Sequence, residues 1–162
     1  MRRICDALVA LAWLSAGAGC GGGGGSGSPD AGWPCQPGEL SLSGELDGAP
    51  FSAVYAVAGE VVENSAAASP CRATVYLAEG GRLVLEWPTP LAEGGAGEAR
   101  GELNAQAQGG PALGNCDAQG FPGRIGLFSA EGVEFELSDF HELPACGGAS
   151  RTGSLRGCAR FP

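Results

Sequence analysis

Between residues 39 and 161 the chain alternates apolar and polar residues in short runs that stop at glycine or proline. Residues 40–46 and 133–137 carry the clearest alternation, with serine or glutamate between the apolar positions. A repeat of two residues places neighbouring side chains on opposite faces of a β-strand, whereas an α-helix requires a repeat of 3.6. No stretch keeps a helical period over three turns, so the pattern predicts an all-β fold.

Further runs of the same kind predict about eight or nine short strands. They lie at residues 39–46, 51–57, 61–62, 74–77, 83–87, 98–106, 125–128, 133–138 and 155–161. Asp47-Gly48 and Gly80-Gly81 are typical of hairpin turns, and Pro88 ends a strand because proline cannot donate to a ladder. Many short strands joined by turns predict an antiparallel β-sandwich or a small barrel. The Gly- and Ala-rich segments near 92–101 and 105–124 are predicted to be long loops.

The first nineteen residues have the pattern of a secretory signal peptide. Arg2 and Arg3 give a basic start, residues 7–14 form an apolar run, and small residues follow up to Cys20. The apolar run is too short for a membrane span, which takes about 20 residues. Residues 1–19 are therefore predicted to direct export and to be removed.

The residues GAGC at 17–20 resemble the lipobox of bacterial lipoproteins. The two small residues before Cys20 match, whereas Gly17 stands where that family usually has leucine or another aliphatic residue. The resemblance implies cleavage before Cys20 and a lipid anchor, with acyl chains such as palmitate, on its sulfur. Ordinary cleavage after Ala18 is the alternative, because residues 16–18 also fit the A-x-A rule. That product would be secreted or periplasmic and soluble.

Residues 20–34 are predicted to join the lipid-anchor cysteine to the rest of the chain through a flexible tether. The segment 21–34 is rich in Gly and Ser, behaves as a random coil and spans roughly 20 Å between its ends. Gly21 follows the anchor position, and the sorting rule of the lipoprotein family then implies the outer membrane. Residues 35–162 are predicted to form a single β domain.

Five cysteines lie in that domain: Cys35, Cys71, Cys116, Cys146 and Cys158. Export places them in an oxidising compartment, where two disulfides and one remaining thiol are expected. The first predicted pair is Cys146–Cys158 and the second is Cys71–Cys116, which leaves Cys35 unpaired. A tight turn at 147–150 would oppose the first pair, and an unlipidated Cys20 would make six cysteines available. Without a CxxC pair, no zinc site is predicted.

The composition excludes several classes of function. The chain has nine Arg and no Lys against 18 acidic residues, with a net charge of −9. Phosphate backbones need a cationic face, so nucleic acid is not an expected partner. The absence of Lys excludes Schiff-base and P-loop chemistry, and the single His excludes a multi-His zinc site. No cofactor and no metal are predicted.

Leu, Ile, Val and Phe make up about a fifth of residues 35–162, close to the composition at which chains stop folding. A largely disordered surface stalk is therefore one alternative. Alternation and the five cysteines favour the folded domain.

Few residues suggest chemistry. His141 lies between Asp139 and Glu142, but no Gly-x-Ser-x-Gly motif occurs, so a solvated histidine at a strand end is predicted. The densest acidic run, which lacks the EF-hand pattern, is predicted to be a wet sheet face rather than a calcium site. It comprises Glu131, Glu134, Glu136, Asp139 and Glu142.

Aromatic residues could stack on sugar rings if they were exposed. Tyr55, Tyr76 and Trp87 lie within strand patterns, so core packing is predicted for all three. Trp33, beside Pro34 in the tether, is predicted to pack onto the domain or to rest at a membrane interface.

The sequence thus predicts a lipid-anchored envelope protein without catalytic activity. Its role would be binding or structural. A lipid on Cys20 would attach it to the membrane, and its partner would be an envelope protein or a small ligand. A secreted hydrolase that uses His141 with two acids, or with the thiol of Cys35 or Cys116, is the alternative from another class.

Overall fold

The computed structural model describes residues 33–115, 120–142 and 149–162, which form nine antiparallel strands and one 3-10 turn, Gln106–Gln108. The strands are β1 (Glu39–Leu46), β2 (Ala49–Glu63), β3 (Cys71–Leu77), β4 (Arg82–Trp87), β5 (Gly95–Asn104), β6 (Ala112–Asn115), β7 (Gly123–Ser129), β8 (Gly132–Glu142) and β9 (Ser150–Arg160). The all-β prediction is confirmed, with the predicted number of strands.

The sheet closes on itself because β4 pairs with β5 as well as with β3. The ring of eight strands runs β4-β3-β2-β1-β9-β8-β6-β5, and β7 is an additional strand that pairs with β5 and β8. Residues 95–99 of β5 face β7, whereas residues 102–104 face β6. β6 and β7 therefore share one gap between β5 and β8. Of the two predicted architectures, the structure is the small barrel.

The first hairpin illustrates how local sequence sets the fold. Asp47 and Gly48 have φ angles of 51° and 78°, and Leu46 pairs directly with Ala49. A two-residue turn with both φ angles positive matches the twist of the flanking strands, and Asp-Gly tolerates it well. The predicted turn is confirmed, and β4 ends at Trp87 before Pro88, also as predicted.

Three predicted boundaries are wrong. The strands predicted at 51–57 and 61–62 are one strand, β2, which passes from β1 to β3 through an irregularity between Val57 and Gly59. The predicted loop at 92–101 contains the first seven of the ten residues of β5, and the loop at 105–124 contains β6. These segments have few large side chains, so their strand structure rests on backbone pairing with neighbours that are distant in sequence.

Inward-facing side chains fill the barrel. Leucines dominate the interior, and Trp87 is fully buried with its ring centroid 5.4 Å from that of Phe128. A void of about 10 Å³ lies among Leu42, Leu103 and other core residues, which is at the lower limit for one water molecule. This part of the interior has no room for a small-molecule ligand.

Asn64 ties the end of β2 to the segment that follows β4. Its Oδ1 accepts hydrogen bonds from Trp87 Nε1 at 3.0 Å and from the Leu91 backbone N–H at 2.9 Å. Its Nδ2 donates to the Leu91 carbonyl at 2.6 Å. One amide side chain therefore satisfies three polar groups, including the only polar side-chain atom of the fully buried Trp87.

Asn64→Ala is expected to lower the free energy of unfolding by about 2–3 kcal/mol, because it leaves the Trp87 and Leu91 donors without partners. Urea unfolding monitored by tryptophan fluorescence measures the change. Asn104→Ala is the control, since among the described residues the Asn104 side chain accepts a single exposed bond, from the Gln106 backbone. Equal effects of the two substitutions would contradict this role of Asn64.

Candidate functional site

The outer face of β8 carries the glutamates singled out in the sequence. Val133, Phe135 and Leu137 point into the barrel, so Glu134 and Glu136 point outward. The predicted wet face of this strand is confirmed. Because the core is filled, groups able to contact a partner lie on the exterior.

A groove of about 390 Å³ runs along this exterior, over β1, β9, β8 and β7. Pro34, next to Cys35, forms part of its wall. Its polar side chains are Ser41, Ser43, Arg124, Glu134, Glu136 and Arg156. The groove is therefore built from four strands and from the segment that leads into the barrel.

Strand register arranges the charges of the groove in alternation. Arg156 lies opposite Glu136, and Glu136 lies opposite Arg124 on its other side. Arg156 Nε is 3.6 Å from Glu136 Oε2, with the arginine side chain 77% exposed. Arg124 also faces Glu98 in register, but it makes no ion pair within the described ranges. Loosely held charges of both signs, beside two serine hydroxyls, suit a polar partner that carries both donors and acceptors.

Sequence reasoning missed both arginines of the groove. Arg124 and Arg156 stand among glycines and small residues, with no local motif. Their only signal is an outward position next to a glutamate on the neighbouring strand, and that position depends on long-range register.

A second charged row crosses β2, β3, β4 and β5. In register, Glu63 faces Arg72, Arg72 faces Glu86, and Glu86 faces Arg100. Arg72 Nη2 lies 2.5 Å and Arg100 Nη2 lies 2.7 Å from Glu86, whose side chain is only 14% exposed. Burial alone would raise the pKa of Glu86, but hydrogen bonds and positive charge from the two arginines outweigh it and lower the pKa. The Arg72–Glu86–Arg100 part of this row stabilises the barrel rather than offering free charges.

The structure corrects the predicted cysteine pairing. Cys158 is bonded to Cys35 with a Cα–Cα distance of 5.9 Å, so the predicted Cys146–Cys158 pair is wrong, and Cys35 is not the unpaired cysteine. Cys71 is a buried thiol whose Sγ lies 3.6 Å from the Ser65 carbonyl, so the predicted Cys71–Cys116 pair is wrong as well. Cys20, Cys116 and Cys146 lie outside the described residues.

The physical reason for the correction is the orientation of β9. Val133, opposite Ala159, and Leu137, opposite Leu155, point inward, so Cys158 between those positions points outward. The segment before β1 is anchored beside it, since Gly38 donates to the Arg160 carbonyl. The short sequence separation between Cys146 and Cys158 favoured that pair in the prediction. The fold instead places Cys35 next to Cys158 on this outer face.

His141 lies near the end of β8, half-buried, opposite Gly114 and Ser150. The predicted position at a strand end is confirmed. The adjacent Glu142 is engaged by Arg151 at 2.5 Å, and Arg151 also pairs with Asp47. Across residues 33–115, 120–142 and 149–162, no group of three or more His, Cys, Asp or Glu is placed to hold a metal ion.

Two of the three aromatic predictions hold. Tyr55 and Trp87 are buried, and burial raises the pKa of the Tyr55 hydroxyl. Tyr76 is 46% exposed, so its predicted core position is wrong. It lies between the inward-facing Val75 and Leu77 and must point outward. Trp33 is half-buried at the start of the described residues.

No protein-family model, curated protein or solved structure matches this chain. Within the described residues, the structure contains no helix with the length and apolar character needed to cross a membrane.

Replacing Cys35 and Cys158 together by serine is expected to lower the free energy of unfolding by about 5 kcal/mol. The bridge closes a loop with a sequence separation of 123 residues, which strongly restricts the unfolded chain. Urea unfolding of the purified full chain measures the loss. Cys71→Ser keeps the bridge and is the control, with a smaller expected effect. A double variant as stable as the natural protein would contradict the assignment.

Glu86→Gln is expected to lower the free energy of unfolding by about 1–2 kcal/mol at pH 7, because two charge-assisted hydrogen bonds lose their ionised acceptor. The pKa of Glu86 is lower in the folded state than in the unfolded state. Its carboxylate therefore contributes stability above the ordinary glutamate pKa and loses that contribution as the pH falls through the folded value.

Urea unfolding at a series of pH values checks this expectation. The difference between the natural protein and Glu86→Gln should shrink as the pH falls below about 4. Glu102→Gln is the matched control, since Glu102 makes a single 3.3 Å pair with the exposed Arg82 and should cost less than about 0.5 kcal/mol. A pH-independent difference would count against the assigned role of Glu86.

Proposed function

We propose that the mature protein is an extracytoplasmic envelope lipoprotein, held in the membrane by lipid on Cys20. Its barrel acts as a non-catalytic binding or structural module. The observation that carries the proposal is the Cys35–Cys158 bridge. Disulfides of this kind form and persist outside the reducing cytosol, which agrees with export by the N-terminal signal.

The position of the bridge supports an anchored role. Cys35 comes directly after the Gly/Ser tether in sequence, and Cys158 belongs to β9. β9 pairs along its length with both β1 and β8. A pull on the tether would therefore reach a strand that is held on both sides, rather than peeling β1 from its end.

The groove supports a binding role. It offers Arg124, Arg156 and two glutamates on a rigid four-stranded surface, and rigid strands position side chains better than loops do. Its partner would be a polar small ligand or a segment of another envelope protein. Gly21 after the anchor position favours the outer membrane.

The anchor is tested by the intact mass of the mature protein and by its partition between detergent and aqueous phases. The proposal predicts a chain that begins at Cys20, carries acyl groups and enters the detergent phase. Cys20→Ala should lose the acyl mass and leave that phase, whereas Cys71→Ala should behave like the natural protein. A mature chain that begins at Gly19, without acyl groups and in the aqueous phase, would contradict the proposal.

A further inference from the structure

β2 extends beyond the strand that covers its first half. β1 pairs with β2 only as far as Ala56, whereas β3 pairs with β2 from Val57 to Glu63. Residues 59–63 thus have a strand on one side only within the described ranges. They make no backbone hydrogen bond to a described turn or loop either. This five-residue stretch is an open sheet edge on the β1 side, and residues 49–55 likewise have no strand on the β3 side within the described ranges.

The open edge is accessible and partly apolar. Val61 is 51% exposed and Val62 is 38% exposed. A Cβ built on Gly59 would meet nothing within 4 Å, so the face of the strand at the start of the edge is uncovered. An unpaired strand edge presents backbone donors and acceptors that an added strand can use.

Charge indicates which strand would fit. Glu60 and Glu63 flank the two valines, and neither forms an ion pair with another described residue. Arg72, opposite Glu63 in register, directs its hydrogen bonds to Glu86. Glu60 therefore has no described cation close to it, and Glu63 is attracted by Arg72 without forming a close ion pair. The chain as a whole has a net charge of −9.

A second copy of the chain fits this edge poorly. In an antiparallel pairing that sets Val61 against Val62, Glu60 of each copy would face Glu63 of the other. Like charges directly opposite each other destabilise a strand pair. Cations at those positions would instead add attraction and steer the approach of the partner.

We propose that the β2 edge, residues 59–63, binds an extended basic segment of another protein by strand addition. The partner strand sets β-branched residues beside Val61 and Val62, and Lys or Arg near Glu60 and Glu63. Backbone hydrogen bonds supply affinity, and the two carboxylates select the charge of the partner. This contact is separate from the groove over β1, β7, β8 and β9, whose lining contains no residue of β2.

Fluorescence anisotropy with the full-length purified protein tests the proposal. The probe is a labelled nine-residue peptide with a Val-Thr-Val-Thr-Val centre and two lysines at each end. A matched peptide has glutamates in place of the lysines. The lysine peptide should bind at least about tenfold more tightly than the glutamate peptide. Equal binding of the two peptides, or no binding of either, would overturn the proposal.

Charge-reversal variants distinguish a local effect of Glu60 and Glu63 from an effect of the net charge of the protein. Glu60→Lys with Glu63→Lys should weaken binding of the lysine peptide about tenfold and strengthen binding of the glutamate peptide. Glu45→Lys with Glu79→Lys changes the net charge equally at exposed positions elsewhere, and should keep the original preference. If both double variants lost the same affinity for the lysine peptide, the preference would come from the net charge of the protein rather than from residues 59–63. That result would overturn the proposal.

Hydrogen exchange on the natural protein gives a test that does not depend on the folding of any variant. The lysine peptide should slow amide exchange within residues 59–63. If the peptide slowed amide exchange only in other parts of the protein, the assignment of the site to residues 59–63 would be overturned. Sedimentation of the protein without peptide should show no dimer held through this edge, and a dimer that protects residues 59–63 would overturn the assigned occupant.

Discussion

The pairing of β4 with β5 is the interaction on which the rest of the structure depends. It extends from Arg82 opposite Asn104 to Glu86 opposite Arg100, and it joins two strands that would otherwise leave the sheet open. Closure turns one face of every strand inward, so a chain with few large apolar residues still surrounds one filled core. The same closure turns the charged residues outward, where neighbouring strands set them in alternating rows.

The disulfide adds a second constraint to the closed sheet. It joins the segment before the first strand to the last strand, across almost the whole described chain. A domain with a modest hydrophobic core gains most from a cross-link of this kind, because the unfolded chain loses much of its freedom. It also sets Pro34 beside the outer face of β9, where it forms part of the groove.

Much of the fold could be predicted from the sequence, because it depends on local signals. Alternation located most strands, and Asp47-Gly48 fixed the first hairpin. β6 was not predicted as a strand, because its four residues have no distinct pattern and pair only with β5 and β8. The predicted core position of Tyr76 is wrong because Val75 and Leu77 on either side point inward, so the Tyr76 side chain points to the exterior. Such errors arise where tertiary pairing, rather than local pattern, decides the outcome.

The candidate site was less predictable than the fold. Glu134 and Glu136 were found as outward residues, but their arginine partners come from strands far away in sequence. The disulfide shows the same limit, since Cys35 and Cys158 meet only after the barrel closes. The open edge of β2 follows from two registers that no local motif encodes.

Native-state hydrogen exchange of the amides in β4 and β5 tests the central claim of a closed, filled barrel most directly. Closure predicts that amides bonded between residues 82–86 and 100–104 exchange only through global unfolding, with the same free energy as the core of β9. Fast exchange along the facing edges of both strands would instead indicate an open sheet, and would contradict the account.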